Sequence, residues 1–273
     1  MITLYQFQFS HFCEKARWAL DYKGVPYMRK NLLPGPHMKT ARRWAPKTSV
    51  PILVDDDTVI QDSAAIITFL DQRFPDRPLT PQNPDDAKEA VKWEEHLDEE
   101  IGVPLRLWFY YHALPDRDRA VRFLLDGAPW YGKPLFAFIF PQVRAAMLKG
   151  MNIHAESARQ SEERLLAALE KLDAALKDRQ FLVADSFSRA DLAACALLSP
   201  YCAPGRSDAE MTAAFPAALC ALRERHKNRR FFAWVLDTYS NHRQPGAPGT
   251  SEAWKWGDGR VRADHAIEPA QHG

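Results

Sequence analysis

The sequence predicts an α/β domain of order βαβαββα followed by an all-helical domain. Three observations lead there. Up to Phe74, short strand-like runs alternate with helical ones; a polar segment rich in Pro and Asp, from Pro75 to Asp86, comes next; and the stretches beyond it carry apolar residues at helical spacing.

Met1 to Gln8 alternates in character as a strand does, and Glu14 to Lys23 then sets Ala16, Trp18, Ala19 and Leu20 at helical spacing before a Gly24 stop. Val25 to Met28 reads as a second strand, followed by a loop at Leu33–Pro36 and a basic helix from Met38 to Trp44, which together give a parallel strand pair. Pro51–Val54 and Thr58–Ile60 flank the turn Asp55-Asp56-Asp57 as a hairpin. Ser63 caps a helix to Arg73 that lines up Ala65, Ile66, Phe69 and Leu70. Helices are then predicted over Ala87–His112, Ala155–Lys177, Arg189–Leu198 and, as a pair, within Phe215–Asn241. The domain boundaries follow: residues 1–76, a linker at 77–86, a helical domain at 87–243 and a tail at 244–273 whose Trp254 and Trp256 predict docking on the body. Within an excursion at 113–150, the apolar stretch Trp130–Pro141 reads as a helix or lid that closes over a pocket or extends a dimer contact.

The 273 residues, 46% hydrophobic and 26% charged, suffice for a full core. A net charge of +1 provides no long-range attraction for nucleic acid or an anionic membrane, so small ligands are the expected partners. No apolar run approaches membrane-spanning length, and the start Met1-Ile2-Thr3-Leu4 lacks the pattern of a signal peptide. Cys13, Cys195, Cys202 and Cys220 are scattered rather than set at metal-ligand spacing, which fits a reduced cytoplasmic chain with no metal.

The turn Phe9-Ser10-His11-Phe12-Cys13 joins the first strand to the first helix. The unpaired N–H groups and dipole at a helix start favour negative charge, and Ser10 and Cys13 stand where such a turn places a hydroxyl and a thiol. His11 is read as an exposed turn residue. Later in the chain, Ser188-x-x-Asp191 is a capping-box variant with a role in folding.

This order of elements, with Ser10-His11-Phe12-Cys13, Ser49-Val50-Pro51, Gln61-Asp62-Ser63 and Ser188-Arg189-Ala190-Asp191, resembles the cytosolic glutathione S-transferase family over roughly residues 1–240. The resemblance implies a thioredoxin-like first domain that binds glutathione as co-substrate, a helical second domain, an apolar acceptor site between them for a small-molecule electrophile, and a homodimer. Ser10 then donates a hydrogen bond to the glutathione sulfur and stabilises its thiolate, as an activator and not a nucleophile. Cys13 is the rival catalytic group, although Ser10-x-x-Cys13 lacks a thiol at the first, reactive position of such turns and leaves Cys13 a structural or resolving role.

By the same resemblance Val50 precedes a cis-proline, Pro51, and its backbone pairs with the cysteinyl part of glutathione. Asp62 and Ser63 hold the γ-glutamyl end, with Gln61 or Asp62 near its ammonium, while His37, Lys39 and Ser49 surround the glycyl end. The segment Ala45-Pro46-Lys47-Thr48-Ser49 lacks the lysine that the family keeps before Val-Pro. Phe12, Leu105, Trp108, Tyr111 and His112 are the expected walls of the acceptor pocket. Two other readings remain open: a glutathione-dependent disulfide or peroxide reductase working through Cys13, and a binding or regulatory module without turnover.

Overall fold

The computed structural model describes residues 1–243; the tail with Trp254 and Trp256 lies outside the described residues. Strand β1 (Thr3–Gln6) lies inside a four-stranded sheet of order β2-β1-β3-β4. It pairs in parallel with β2 (Met28–Asn31) and antiparallel with β3 (Ile52–Asp55), which forms the expected hairpin with β4 (Thr58–Gln61). Helices α1 (His11–Tyr22), α2 (His37–Trp44) and α3 (Ser63–Arg73) complete the βαβαββα order.

Two boundaries in this domain differ from expectation. Helix α1 starts at His11 because the Ser10 side chain accepts from the Cys13 N–H and so acts as the cap. Strand β2 occupies Met28–Asn31 instead of Val25–Met28: Val25 and Tyr27 turn into the core, and the ladder opens only where the Met28 N–H donates to the Ile2 carbonyl. As an edge strand it exposes Met28 and Lys30, which hides it from a search for apolar runs.

The second domain consists of α4 (Pro84–Leu97), a π-helical turn at Asp98–Gly102, α5 (Val103–Ala113), α6 (Arg117–Leu124), α7 (Gly132–Gly150), α8 (Ala155–Ala175), α9 (Arg189–Cys202), α10 (Asp208–Ala214), α11 (Ala217–His226) and α12 (Arg230–His242). The expected linker is shorter than 77–86, because Asn83 accepts from the Asp85 and Asp86 N–H groups and Pro84 opens α4. The single helix predicted to His112 is interrupted. Pro104 has no N–H for the carbonyl four residues back, and the Val103 N–H reaches Asp98 O in the wider π register.

Helix α9 is the spine of the molecule and is buried over its whole length, against α1, α4 and α12. Its start carries the predicted capping box, with Asp191 accepting from the Ser188 and Leu182 N–H groups. Next to it, Arg189 forms an ion pair with Glu94 (2.5 Å) and donates to the Ala64 carbonyl and to the Thr68 and Thr80 hydroxyls. Lys15 of α1, with no exposed side-chain surface, pairs with Glu94 (2.8 Å) and Asp98 (2.7 Å). Burial pushes the Asp98 carboxyl up to about 6 against the pull of Lys15.

A second buried group of charges ties the end of α12 to α1. Arg243 pairs with Glu14 and Asp21, each at 2.7 Å; Glu14 also pairs with Arg17; and the Trp18 indole N–H donates to His242 O. The excursion is helical, as one of its two readings had it, and it leans on the first domain. A Cβ on Gly35 would come within 2.9 Å of Val143 on α7, and Asn31 donates to Gly127 O. Trp130 and Phe138 of this segment are 89% and 80% exposed.

Removing one member of a buried ion group leaves the others uncompensated. Arg189→Leu is expected to cost about 3–5 kcal/mol of stability, to be measured by denaturant unfolding; a loss below about 1 kcal/mol would mean that the group is not coupled as the distances indicate.

Candidate active site

Ser10 stands at the first turn of α1, half-buried, in an extended backbone conformation. Its Oγ accepts from the Cys13 N–H at 3.3 Å. Cys13 is fully buried, and burial raises its pKa even though Arg17 and the Ser10 hydroxyl pull it down.

Ser10 opens onto a cleft with about 370 Å³ of empty space, part of it open to solvent. Phe9, Phe109, Phe123, Leu105 and Pro200 supply its apolar wall; His11, Arg106 and Tyr110 are the other polar residues there. His11 is buried, contrary to the expectation of an exposed turn residue. Its Nδ1 lies 3.1 Å from Leu197 O, while its Nε2 is buried without a partner among the described residues. Burial, reinforced by the charge of Arg106, lowers its pKa to about 3. Burial likewise lifts Tyr110 to about 12. At neutral pH the cleft therefore carries neutral His11 and Tyr110 beside the Arg106 guanidinium.

The cleft at Ser10 is not lined by the residues expected for an acceptor pocket, Leu105 excepted. Leu105 lines the cleft, joined by Arg106, Phe109 and Tyr110 on the same side of α5. Trp108, Tyr111 and His112 are not in its wall. Trp108 donates to Glu162 of α8 at 3.1 Å, and its ring meets His112 edge to face. An α5 that is apolar on most sides packs against two neighbours, and its sequence alone does not say which face meets the first domain. Phe12 packs under the guanidinium of Arg106, 5.5 Å from ring centroid to Cζ, and against Gly102, where a Cβ would lie 2.6 Å from Phe12 Cζ. From the excursion, Phe123 of α6 contributes to the wall.

The remaining predicted residues gather at the ends of β3, β4 and α3. The Val50–Pro51 peptide is cis. Gln61 donates to Lys47 O and Ser49 O, and so ties down the loop before Pro51. Asp62 has φ +96°, a region that side-chain-bearing residues rarely occupy. Its carboxylate accepts from Ala64 and Ala65 at the start of α3. Ser63 Oγ beside it is buried without a partner among the described residues.

His37 accepts from the Gly35 N–H, lies edge-on to Phe7, and is lowered to about 4 by burial despite a backbone hydrogen bond at Thr48. It is neutral at pH 7 and unsuited to pairing a carboxylate as a cation; Lys39, exposed on α2, keeps that capacity. Among the described residues no cluster of three or more His, Cys, Asp or Glu side chains is placed to hold a metal, and no helix is long and apolar enough to cross a membrane.

Residues 4–78 match the glutathione S-transferase N-terminal domain and residues 131–229 the C-terminal domain. The chain belongs to the glutathione S-transferase family. Curated relatives include glutathione S-transferase Z1 of Arabidopsis thaliana, 38% identical over 96 residues (34% of this chain, 42% of that protein). Another is glutathione S-transferase 1 of Dianthus caryophyllus, 38% identical over 147 residues (46% and 66%). The matched part thus spans 42% to 66% of those two relatives' lengths.

Among solved structures, a glutathione S-transferase of Methylobacterium radiotolerans in complex with glutathione sulfonate matches with a TM-score of 0.54 at 21% identity, over 93% of this chain and 99% of that one. A beta-etherase of a Sphingobium species matches with 0.57 at 19%, over 87% and 99%. At these identities the structural likeness speaks for the glutathione S-transferase fold alone.

Three residues of the cleft carry no direct signal in the sequence. Arg106 and Tyr110 follow from one turn of helical spacing once Leu105 and Phe109 are known to face the cleft. The burial of His11 depends on Leu197, 186 residues away, and has no local signal.

A base held neutral by burial weakens the fold when it must be protonated. With a folded pKa of about 3 against 6.5 unfolded, His11 leaves stability intact above pH 6.5 and removes it progressively toward acid. Between pH 6.5 and 5 this loss is about 2 kcal/mol. His11→Asn, which keeps a donor for Leu197 O, is expected to flatten that part of the stability-pH curve measured by denaturant unfolding; an unchanged slope would show that His11 is not the responsible group.

Proposed function

We propose that this chain is a glutathione transferase in which Ser10 stabilises the glutathione thiolate for attack on an apolar electrophile. The observation that carries this reading is the Ser10 hydroxyl: it accepts from the Cys13 N–H and lines an apolar cleft at the positive end of α1, where its rotatable proton can turn to a ligand's sulfur. Free thiols ionise near a pKa of about 8.5, and a hydrogen bond to a charged acceptor contributes roughly 1.5–3 kcal/mol. The thiol proton leaves to solvent, the sulfur lone pair forms a bond to the electrophilic carbon, and the leaving group departs with its electron pair.

Support for the glutathione end comes from the head of α3. Ser63 Oγ lacks a partner there, and the helix start favours a carboxylate. Asp62 supplies the negative charge that an α-ammonium requires, Val50 and Pro51 offer backbone for the cysteinyl part, and Lys39 and Ser49 stand on the glycyl side. Within this reading the enzyme works as a cytoplasmic homodimer that detoxifies electrophiles. A Cys13-based reductase is less well supported, since burial disfavours the thiolate such chemistry needs.

Ser10→Ala is expected to lower kcat roughly 10- to 100-fold with glutathione KM within about threefold, because the interaction removed belongs to the thiolate. Cys13→Ser is expected to retain most turnover. Steady-state kinetics with a chloronitroarene, together with ultraviolet titration of the bound thiol, tests both. Equal loss of binding and rate in Ser10→Ala, or a bound thiol that ionises no lower than free glutathione, would overturn the role of Ser10.

A further inference from the structure

Among the described residues Arg106 has no carboxylate partner. It sits mostly buried in the wall of the cleft that Ser10 opens onto, and burial lowers its pKa. Among the described residues its partner is the face of Phe12. The cleft wall contains no carboxylate. The nearest titratable neighbours, His11 and Tyr110, are both held neutral, and neither can balance the charge.

Other buried cations in this protein are treated differently. Lys15, Arg17, Arg189 and Arg243 each lie within 2.8 Å of a carboxylate oxygen. An unpaired charge in an apolar site is costly, and a guanidinium in particular presents a fork of donors that matches an oxyanion. An oxyanion on a ligand would supply the partner that the wall lacks.

Resting on the transferase reading, we infer that the acceptor cleft selects electrophiles bearing a carboxylate or similar oxyanion, and that Arg106 is the residue that binds this group. The apolar walls from Phe9, Phe109 and Phe123 receive the hydrocarbon body of the same molecule, with its electrophilic carbon toward Ser10. The guanidinium thus sets which electrophile is accepted, one helical turn before Tyr110.

The test uses the full chain and three proteins: wild type, Arg106→Leu and Arg106→Lys. With saturating glutathione, 4-chloro-3-nitrobenzoate and 1-chloro-2,4-dinitrobenzene are compared as kcat/KM divided by their uncatalysed rates. Calorimetry compares 4-nitrobenzoate with its neutral isostere 4-nitrobenzamide. Wild type is expected to favour each carboxylate by about tenfold or more, the range of a charge-assisted hydrogen bond, with the preference lost in Arg106→Leu and partly kept in Arg106→Lys.

Equal affinity for the two nitrobenzene ligands in the wild type, or a preference that survives Arg106→Leu, overturns the inference. Equal losses on both chloronitroarenes would place Arg106 at the sulfur instead and overturn it as well. Failure of both chloronitroarenes to react defeats the transferase reading, while the calorimetric comparison still decides whether Arg106 binds the carboxylate.

Discussion

The two domains are held in one frame by the buried charges of Lys15, Glu94 and Arg189. Each is withdrawn from water and tolerated because it is compensated from more than one side: Lys15 by Glu94 and Asp98, Glu94 by Lys15 and Arg189, and Arg189 by Glu94, two hydroxyls and a carbonyl. Such a group contributes little net stability relative to a well-packed apolar one, yet it accepts few alternative arrangements. Through it α1, α3, α4 and α9 share a single geometry. Ser10 begins α1 and Ser63 begins α3, so the same charges hold the two helix starts at which a peptide thiol and its glutamyl end would be gripped.

Around those helix starts the electrostatics are simple. Burial keeps His11 and His37 neutral, so neither serves as a proton relay near pH 7. What remains at the start of α1 is the Ser10 hydroxyl and the amide dipoles of the helix. Fixed dipoles in an apolar setting stabilise an anion without having to reorganise, which is the kind of help a thiolate needs. Cys13, one turn into the helix, is fully buried.

Much of the first domain was legible because its signals are local. The hairpin is written in Asp55-Asp56-Asp57 and its β-branched flanks and the capping box in Ser188 and Asp191, whereas at α3 the cap is Asp62 and not the expected Ser63, which is the first residue of the helix. Ser10 as a cap is legible for the same reason: it bonds an amide three residues on. The edge strand β2 was misplaced since an edge does not require apolar residues. Trp108, Tyr111 and His112 lie off the cleft that Ser10 lines, because a helix buried on several sides shows no preferred face, and Glu162, which claims Trp108, lies 54 residues ahead in the chain.

The chain by itself determined which segments become strands and helices, where most of them start, and which hydroxyl caps the first helix, since these depend on neighbours within a turn or two. Only the tertiary structure decided the charge states and the facing of the cleft. Whether His11 is neutral, whether Lys15 finds a carboxylate and whether Arg106 does not are set by groups brought from distant elements into a low-dielectric interior, where the energy of an ion depends on what stands within a few ångströms of it.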